Sequence, residues 1–226
     1  MRSVKVILWL TLLLLPVGSV IAGPEIQHWK TANGARVYFV AAPQLPMVDI
    51  RMVFDAGSAR DGDHPGLAVM TNALLDAGAG GLDEEKIAQR LEGLGALLST
   101  TALRDMAMVG LRSLSAAEYL GPATEILAQV VSTPHFPEAV FQRERKRLLI
   151  ALQGERQSPG TIADKAFYQA IYGDHPYASP VNGTEESLGM LQRDDLLKFH
   201  ARYYVAANTV VALVGDLSRT EAKKLA

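Results

Sequence analysis

A chain of 226 residues with 22 basic against 24 acidic side chains has no surplus of positive charge to offer a polyanion, which argues against a nucleic-acid partner. It holds no cysteine, so disulfides and thiolate metal sites are excluded. Stability must come from an apolar core, and 49% apolar residues suffice for one large domain or two small ones.

Arg2 and Lys5 precede an apolar run, residues 6–15, which Pro16 and Gly18 interrupt before the stretch Val20-Ile21-Ala22. That is the pattern of a secretory signal peptide over residues 1–22, and it predicts an exported protein, periplasmic or secreted, that begins near Gly23. The run is too short and broken to favour a membrane anchor, and no later stretch is apolar enough to span, so no membrane contact is expected after processing.

Asn33-Gly34 between residues 26–30 and 36–41 predicts a β-hairpin. Val48, Ile50, Met52 and Phe54 alternate with Asp49 and Arg51, the period of a half-buried strand. Pro65 can open a helix, Leu67, Met70, Leu74 and Ala77 recur at helical spacing, and Gly78 can stop it, so a helix is predicted over 66–78. The glycine cluster 78–81 follows this helix, the wrong side for anion binding, and reads as a flexible turn. A second helix is expected over 83–94, opened by Asp83-Glu84-Glu85. Strands follow over 97–103 and 106–111, long amphipathic helices over 115–131 and 137–156, and another helix from Pro159 to residue 171. Residues 184–190 and 193–203 read as helical, 209–214 as an apolar strand, and Ser218-Arg219-Thr220-Glu221 as the start of a last helix. The basic run 143–147 reads as a solvated helix face. The order implies an α+β fold with a mainly antiparallel sheet covered by helices.

Several stretches carry a resemblance. They are Asn33-Gly34-Ala35-Arg36-Val37, Phe54-Asp55-Ala56-Gly57-Ser58, Pro65-Gly66-Leu67-Ala68, Leu94-Gly95-Ala96 with Arg104-Asp105, Gly173-Asp174-His175-Pro176-Tyr177 with Pro180, Gly183-Thr184-Glu185-Glu186, and Phe199-His200 with Tyr204, Asn208 and Val214-Gly215-Asp216. In this order and spacing, from about residue 25 to the end, they resemble the insulinase (pitrilysin) family of zinc peptidases. The resemblance implies an insulinase-like or mitochondrial-processing-peptidase-like domain over 23–226, the first of the family's usual two, with the second not present in this chain.

The family holds zinc with a His-x-x-Glu-His helix, whose two ligands and general base would fall at positions 69, 72 and 73. Here those positions are Val69, Asn72 and Ala73. Valine and alanine have no lone pair to donate, and a neutral amide is no base at neutral pH. The family's third ligand, a Glu on a later helix, would fall near Ile150 or Ala151; Glu155 lies one turn further on, where it would gain nothing. The resemblance therefore implies no catalytic residues and no metal in this chain, with zinc expected only in a partner subunit.

His28, His64, His135, His175 and His200 lie too far apart in sequence to form a ligand pair. His64 with Asp61 and Asp63 could catch a divalent ion weakly, but a solvated loop is the simpler reading. His175 sits in a loop held by Pro176, and His200 reads as a surface or interface residue. The family captures peptides by adding them as a strand to a sheet edge beside the metal helix. That edge here would be Leu98, Ser99, Thr100 and Thr101, where the family often has Asn-Ala in place of Ser99-Thr100.

These observations predict a catalytically inactive peptidase homologue. It would act as a non-catalytic subunit that binds an extended peptide and completes the chamber of a catalytic partner carrying His-x-x-Glu-His. Two alternatives fit the same residues: an active exported zinc endopeptidase with a displaced metal site, or a structural assembly subunit like the core proteins of a respiratory complex.

Overall fold

A computed structural model describes residues 23–226. The signal peptide expected over residues 1–22 lies outside the described residues. Strands β1 (Gln27–Lys30) and β2 (Arg36–Ala41) form the hairpin that Asn33-Gly34 predicts, with Gly34 at a φ of 102° in its turn. They are followed by β3 (Met47–Phe54), helix α1 (Leu67–Ala73), β4 (Gly78–Ala79), β5 (Leu82–Asp83) and α2 (Glu84–Gly93). Then come β6 (Leu97–Ala102), β7 (Ala107–Leu114), α3 (Ala117–Ser132), α4 (Glu138–Glu155), α5 (Pro159–Tyr172), α6 (Glu185–Met190), α7 (Arg193–Tyr203), β8 (Thr209–Gly215) and α8 (Arg219–Leu225).

Six strands make one sheet in the order β1-β2-β8-β3-β7-β6. Every pairing is antiparallel except that of β2 with β8. Alternation decides which face is covered. Val37 and Phe39, Val48 and Ile50, Val109 and Leu111, and Val211 and Leu213 are buried beneath the helices. Arg36, Asp49, Arg112 and Val214 stand exposed on the other face, where Arg112 and Asp49 form an ion pair of 2.7 Å across β7 and β3. The helix layer consists of α3 against β7 and α1 against β6, with α7 packed on α1. No helix among the described residues is long and apolar enough to cross a membrane.

Two sequence expectations need correction here. The central helix stops at Ala73, not at Gly78, because Gly78 and Ala79 pair with Asp83 and Leu82 as a small ribbon. The glycine cluster is therefore a defined turn, not a flexible one: Gly80 and Gly81 both have positive φ, the conformation a two-residue hairpin requires. Helix α5 also departs from the usual rule. It buries no residue, and Ile162, Phe167 and Ile171 point outward, with Phe167 58% exposed.

Candidate functional site

Helix α1 has only seven residues, too short to stand by local propensity, so its neighbours hold it. The approach is built by close contacts. A Cβ on Gly57 would land on the backbone of Arg104 to Met106, so only glycine lets the chain pass under the β6–β7 turn. Gly57→Ala is expected to force that turn away and cost about 2 kcal/mol, read as a lowered denaturation midpoint. Ser58 and Ala59 then donate their backbone N–H groups to the carbonyls of Leu103 and Arg104.

Asp61 comes next, and the structure corrects its reading as part of a solvated acidic loop. It is 4% exposed. Its two carboxylate oxygens each accept an N–H at 2.8 Å, one from Gly66 and one from Ala68, which caps the start of α1. Burial pushes its carboxyl up to about 7, against the pull of those two donors. Gly66, at a φ of 95°, turns the chain into the helix. The hydroxyl of Ser187 donates to the carbonyl of Pro65 at 2.7 Å, and a Cβ on Gly183 would strike that same carbonyl. The two distant stretches 65–68 and 183–186 thus meet as one joint.

On α1, Val69 and Ala73 are half-buried one turn apart, whereas Asn72 turns into the core and is 1% exposed. The Asn72 Nδ2 group donates to the Tyr204 hydroxyl at 3.2 Å and to the Met108 carbonyl at 3.3 Å. Tyr204 lies tilted against Phe54, with ring centroids 4.6 Å apart, and burial raises its pKa. His200 stacks on Tyr204 at 5.1 Å and donates from Nε2 to the Val131 carbonyl at 2.8 Å. It is half-buried, and burial lowers its pKa. Of the two readings its sequence position allows, surface or interface, the structure favours the second: His200 ties α7 to α3.

Helix α4 packs against α1 and carries Ile150, 59% exposed, and the exposed Ala151. Glu155, one turn on, is not idle as expected: it pairs with Lys165 at 2.7 Å and accepts from Asn182 at 2.9 Å. The basic run is engaged as well, with Arg143 bridging to Glu84 at 2.6 Å. Strand β6 pairs with β7 alone and is an edge of the sheet. Leu98 and Thr100 are half-buried on the helix side, while Ser99 and Thr101 are exposed on the open face. Helix α1, which carries Val69 and Ala73, thus packs against β6 and against α4, which carries Ile150 and Ala151; of the four β6 positions, only Leu98 and Thr100 stand on the helix side. Asn72 is withdrawn into the core.

The turn after β6 is clamped by a residue that sequence reading left without a role. Arg104 donates from Nη1 to the carbonyls of Tyr177 and Ser179, at 2.8 and 3.0 Å, and its guanidinium lies 3.8 Å over the Tyr168 ring. His175 accepts at Nδ1 from the Tyr177 N–H at 3.2 Å, within an aromatic cluster with Tyr172 and Tyr177. The 173–180 loop is thus held by more than Pro176.

Zinc needs three or four nitrogen, sulfur or oxygen donors. Val69, Ala73, Ile150 and Ala151 supply none, and the one polar side chain in the set, Asn72, is spent on Tyr204 and Met108. The residues present do not fit the metal. Among the described residues, no three His, Asp or Glu side chains converge as ligands.

Residues 36–185 match the profile described as insulinase, peptidase family M16, and residues 190–226 match that of the peptidase M16 inactive domain. A crystal structure titled peptidase M16 inactive domain, from Pseudomonas fluorescens, is 44% identical with a TM-score of 0.88, over 89% of this chain and 49% of that one. The non-peptidase homolog YmxG of Helicobacter pylori is 28% identical over 76% of this chain and 40% of its own length. Subunit 1 of the mitochondrial cytochrome b-c1 complex of Bos taurus is 26% identical over 90% of this chain and 42% of its own length. The chain spans less than half the length of each of these relatives.

Proposed function

This chain belongs to the insulinase family, peptidase family M16, and from that premise we propose that it is a non-catalytic member which binds extended peptide and completes the chamber of a catalytic partner. The observation that carries the reading is the replacement of every zinc-ligand position and the base by Val69, Asn72, Ala73 and Ile150 or Ala151, while the scaffold around them is intact. Loss of ligands removes hydrolysis; it leaves the edge strand β6 and its unpaired main-chain groups in place. Two similar proteins, one described as an inactive domain and one as a non-peptidase homolog, support the non-catalytic part. The outward apolar residues of α5 support the partner part, because a helix that buries nothing is a natural packing surface. The b-c1 relative is by name a subunit of a larger complex, which favours a second reading as an assembly subunit. Zinc, on the first reading, belongs to the partner, and export to the periplasm or beyond follows from the leader-like residues 1–22.

The test is made on purified processed protein. Expected are no chelator-sensitive hydrolysis of a peptide library, no retained zinc, and peptide binding that survives chelator. Chelator-sensitive hydrolysis by the chain itself would overturn the reading.

A further inference from the structure

The sheet face turned away from the helix layer has a charge balance opposite to that of the whole chain. Strand register places its side chains. Lys30 lies opposite Arg36 across β1 and β2, Arg51 of β3 lies between Ala212 of β8 and Gly110 of β7, and Asp49 lies opposite Arg112. The described strands thus put four basic side chains and one acidic on this face, whereas the chain has 22 basic against 24 acidic. The one acid is already engaged: Arg112 donates to both Asp49 carboxylate oxygens, at 2.7 and 3.0 Å. Among the described residues, no carboxylate pairs with Lys30, Arg36 or Arg51, and all three are exposed. Like charges directly opposite destabilise a strand pair, so Lys30 and Arg36 work against the hairpin that carries them. Arg51 stands in an open hollow of about 510 Å³, whose lining includes Ser99, Arg112 and Val214. Ala212 and Gly110, on the strands either side of it, are too small to cover it. A Cβ on Gly110 would come within 2.7 Å of the Ser99 Oγ, so the Ser99 hydroxyl leans across Gly110 toward β3.

From this juxtaposition we propose that the open sheet face docks an acidic segment of a partner protein, with one carboxylate seated between Arg51 and the Ser99 hydroxyl. A guanidinium offers its N–H groups in a planar fork that matches the two oxygens of a carboxylate. The Ser99 hydroxyl adds a donor from the far side of Gly110. Lys30 and Arg36 wait for a second acidic residue of the same segment: β8 alone separates β2 from β3, so Arg36 and Arg51 stand on strands about 10 Å apart. Tyr38 and Val214, 44% and 41% exposed, share the face. They favour a protein segment, which has apolar side chains to cover them, over a phosphate chain, which has none and which Asp49 would repel. The inner strands have no free edge, so the occupant is held through side chains. This face lies opposite the helix layer that contains α1, and its use neither requires nor prevents strand addition at β6.

Fluorescein-labelled hexaglutamate, hexaglutamine and an oligothymidylate of the same length test it by anisotropy against the full processed chain. Hexaglutamate is expected to bind best of the three, and to be released near 1 M salt, where charges are screened within about 3 Å. Arg51→Glu, at an exposed position that leaves the fold intact, is expected to lower its affinity about tenfold. Arg51→Lys keeps the charge without the fork and should recover only part of that loss. Ser99→Ala should cost about threefold. Lys146→Glu changes the net charge by the same amount on an exposed position of α4, in the helix layer, and should leave binding unchanged. Arg51 is separated from β6 by β7, so these variants read the face and not the strand edge. Equal binding of hexaglutamate and hexaglutamine, or an equal loss in Arg51→Glu and Lys146→Glu, overturns the site. Full affinity in Arg51→Lys overturns the forked carboxylate, and tighter binding of the oligothymidylate overturns the assignment to a protein segment.

Discussion

Asp61→Ala is expected to cost about 4 kcal/mol, because two N–H groups at the start of α1 lose their acceptors inside the protein and each buried unsatisfied donor costs about 1–3 kcal/mol. Asp61→Asn keeps one acceptor and turns an amide N–H₂ toward the other donor, so it should cost roughly half as much. Urea titration of the three proteins measures both. The pH dependence separates the charge from the hydrogen bonds. The folded carboxyl is pushed up to about 7, whereas an unfolded aspartate titrates near 3.9. The folded chain therefore holds the proton more firmly, and this contribution to stability is full below about pH 4 and lost as pH rises through about 7. The slope is at most about 1.4 kcal/mol per pH unit. His200, whose pKa burial lowers, works in the opposite sense: its contribution is present at higher pH and is lost as pH falls below the value of an unfolded histidine. The difference between the parent and Asp61→Asn cancels His200 and isolates Asp61. A difference that does not change between pH 4 and 7 would mean that Asp61 stays ionised in its cap.

Asn72→Glu is expected to be the second large effect, a loss of about 3 kcal/mol. It restores the residue type of a general base, yet the position now serves the core. The Met108 carbonyl needs a donor and would face a carboxylate; the Tyr204 hydroxyl could still donate, but to a buried charge with no cation beside it. The cost should be visible as a lowered melting midpoint, and the buried carboxyl should titrate well above its usual range. The combination Val69→His, Asn72→Glu, Ala73→His and Ala151→Glu changes the balance. With ligands restored, bound zinc stabilises the folded chain by mass action. Zinc is thus expected to raise the midpoint of the fourfold variant and leave that of the parent unchanged. No response of the fourfold variant would show that the scaffold has drifted too far to hold the metal.

The strands were legible because their signals are local. Asn33-Gly34 fixes one hairpin, and the alternation from Val48 to Phe54 fixes a half-buried strand. The helical spacing of Leu67, Met70, Leu74 and Ala77 overran the true end of α1, since it cannot report that Gly78 and Ala79 are claimed by a ribbon. The helix from Pro159 was legible and its exposure was not: Ile162, Phe167 and Ile171 are residue types that usually face inward, and here they face out. Asp61 looked like a loop acid because its acceptor role depends on the Pro65-Gly66 turn bringing back two N–H groups. His200 and Arg104 act on carbonyls far along the chain, at Val131 and at Tyr177 and Ser179, and no spacing rule reaches that distance. That Val69, Ala73, Ile150 and Ala151 offer no donor atom could be read from residue identities alone; the burial of Asn72 could not.

The place of β8 in the sheet has a consequence for synthesis. Of the described strands, the latest in chain order is a central one, flanked by β2 in parallel and β3 in antiparallel pairing. Until Thr209–Gly215 is available, the β1–β2 hairpin has nothing to join, and β3 has only β7. The sheet therefore cannot close progressively behind a growing chain; it closes once, late, around its final strand. Closure across so long a loop is slow. A nascent or nicked chain lacking those seven residues leaves two apolar edges open, the species that chaperones hold and proteases clear.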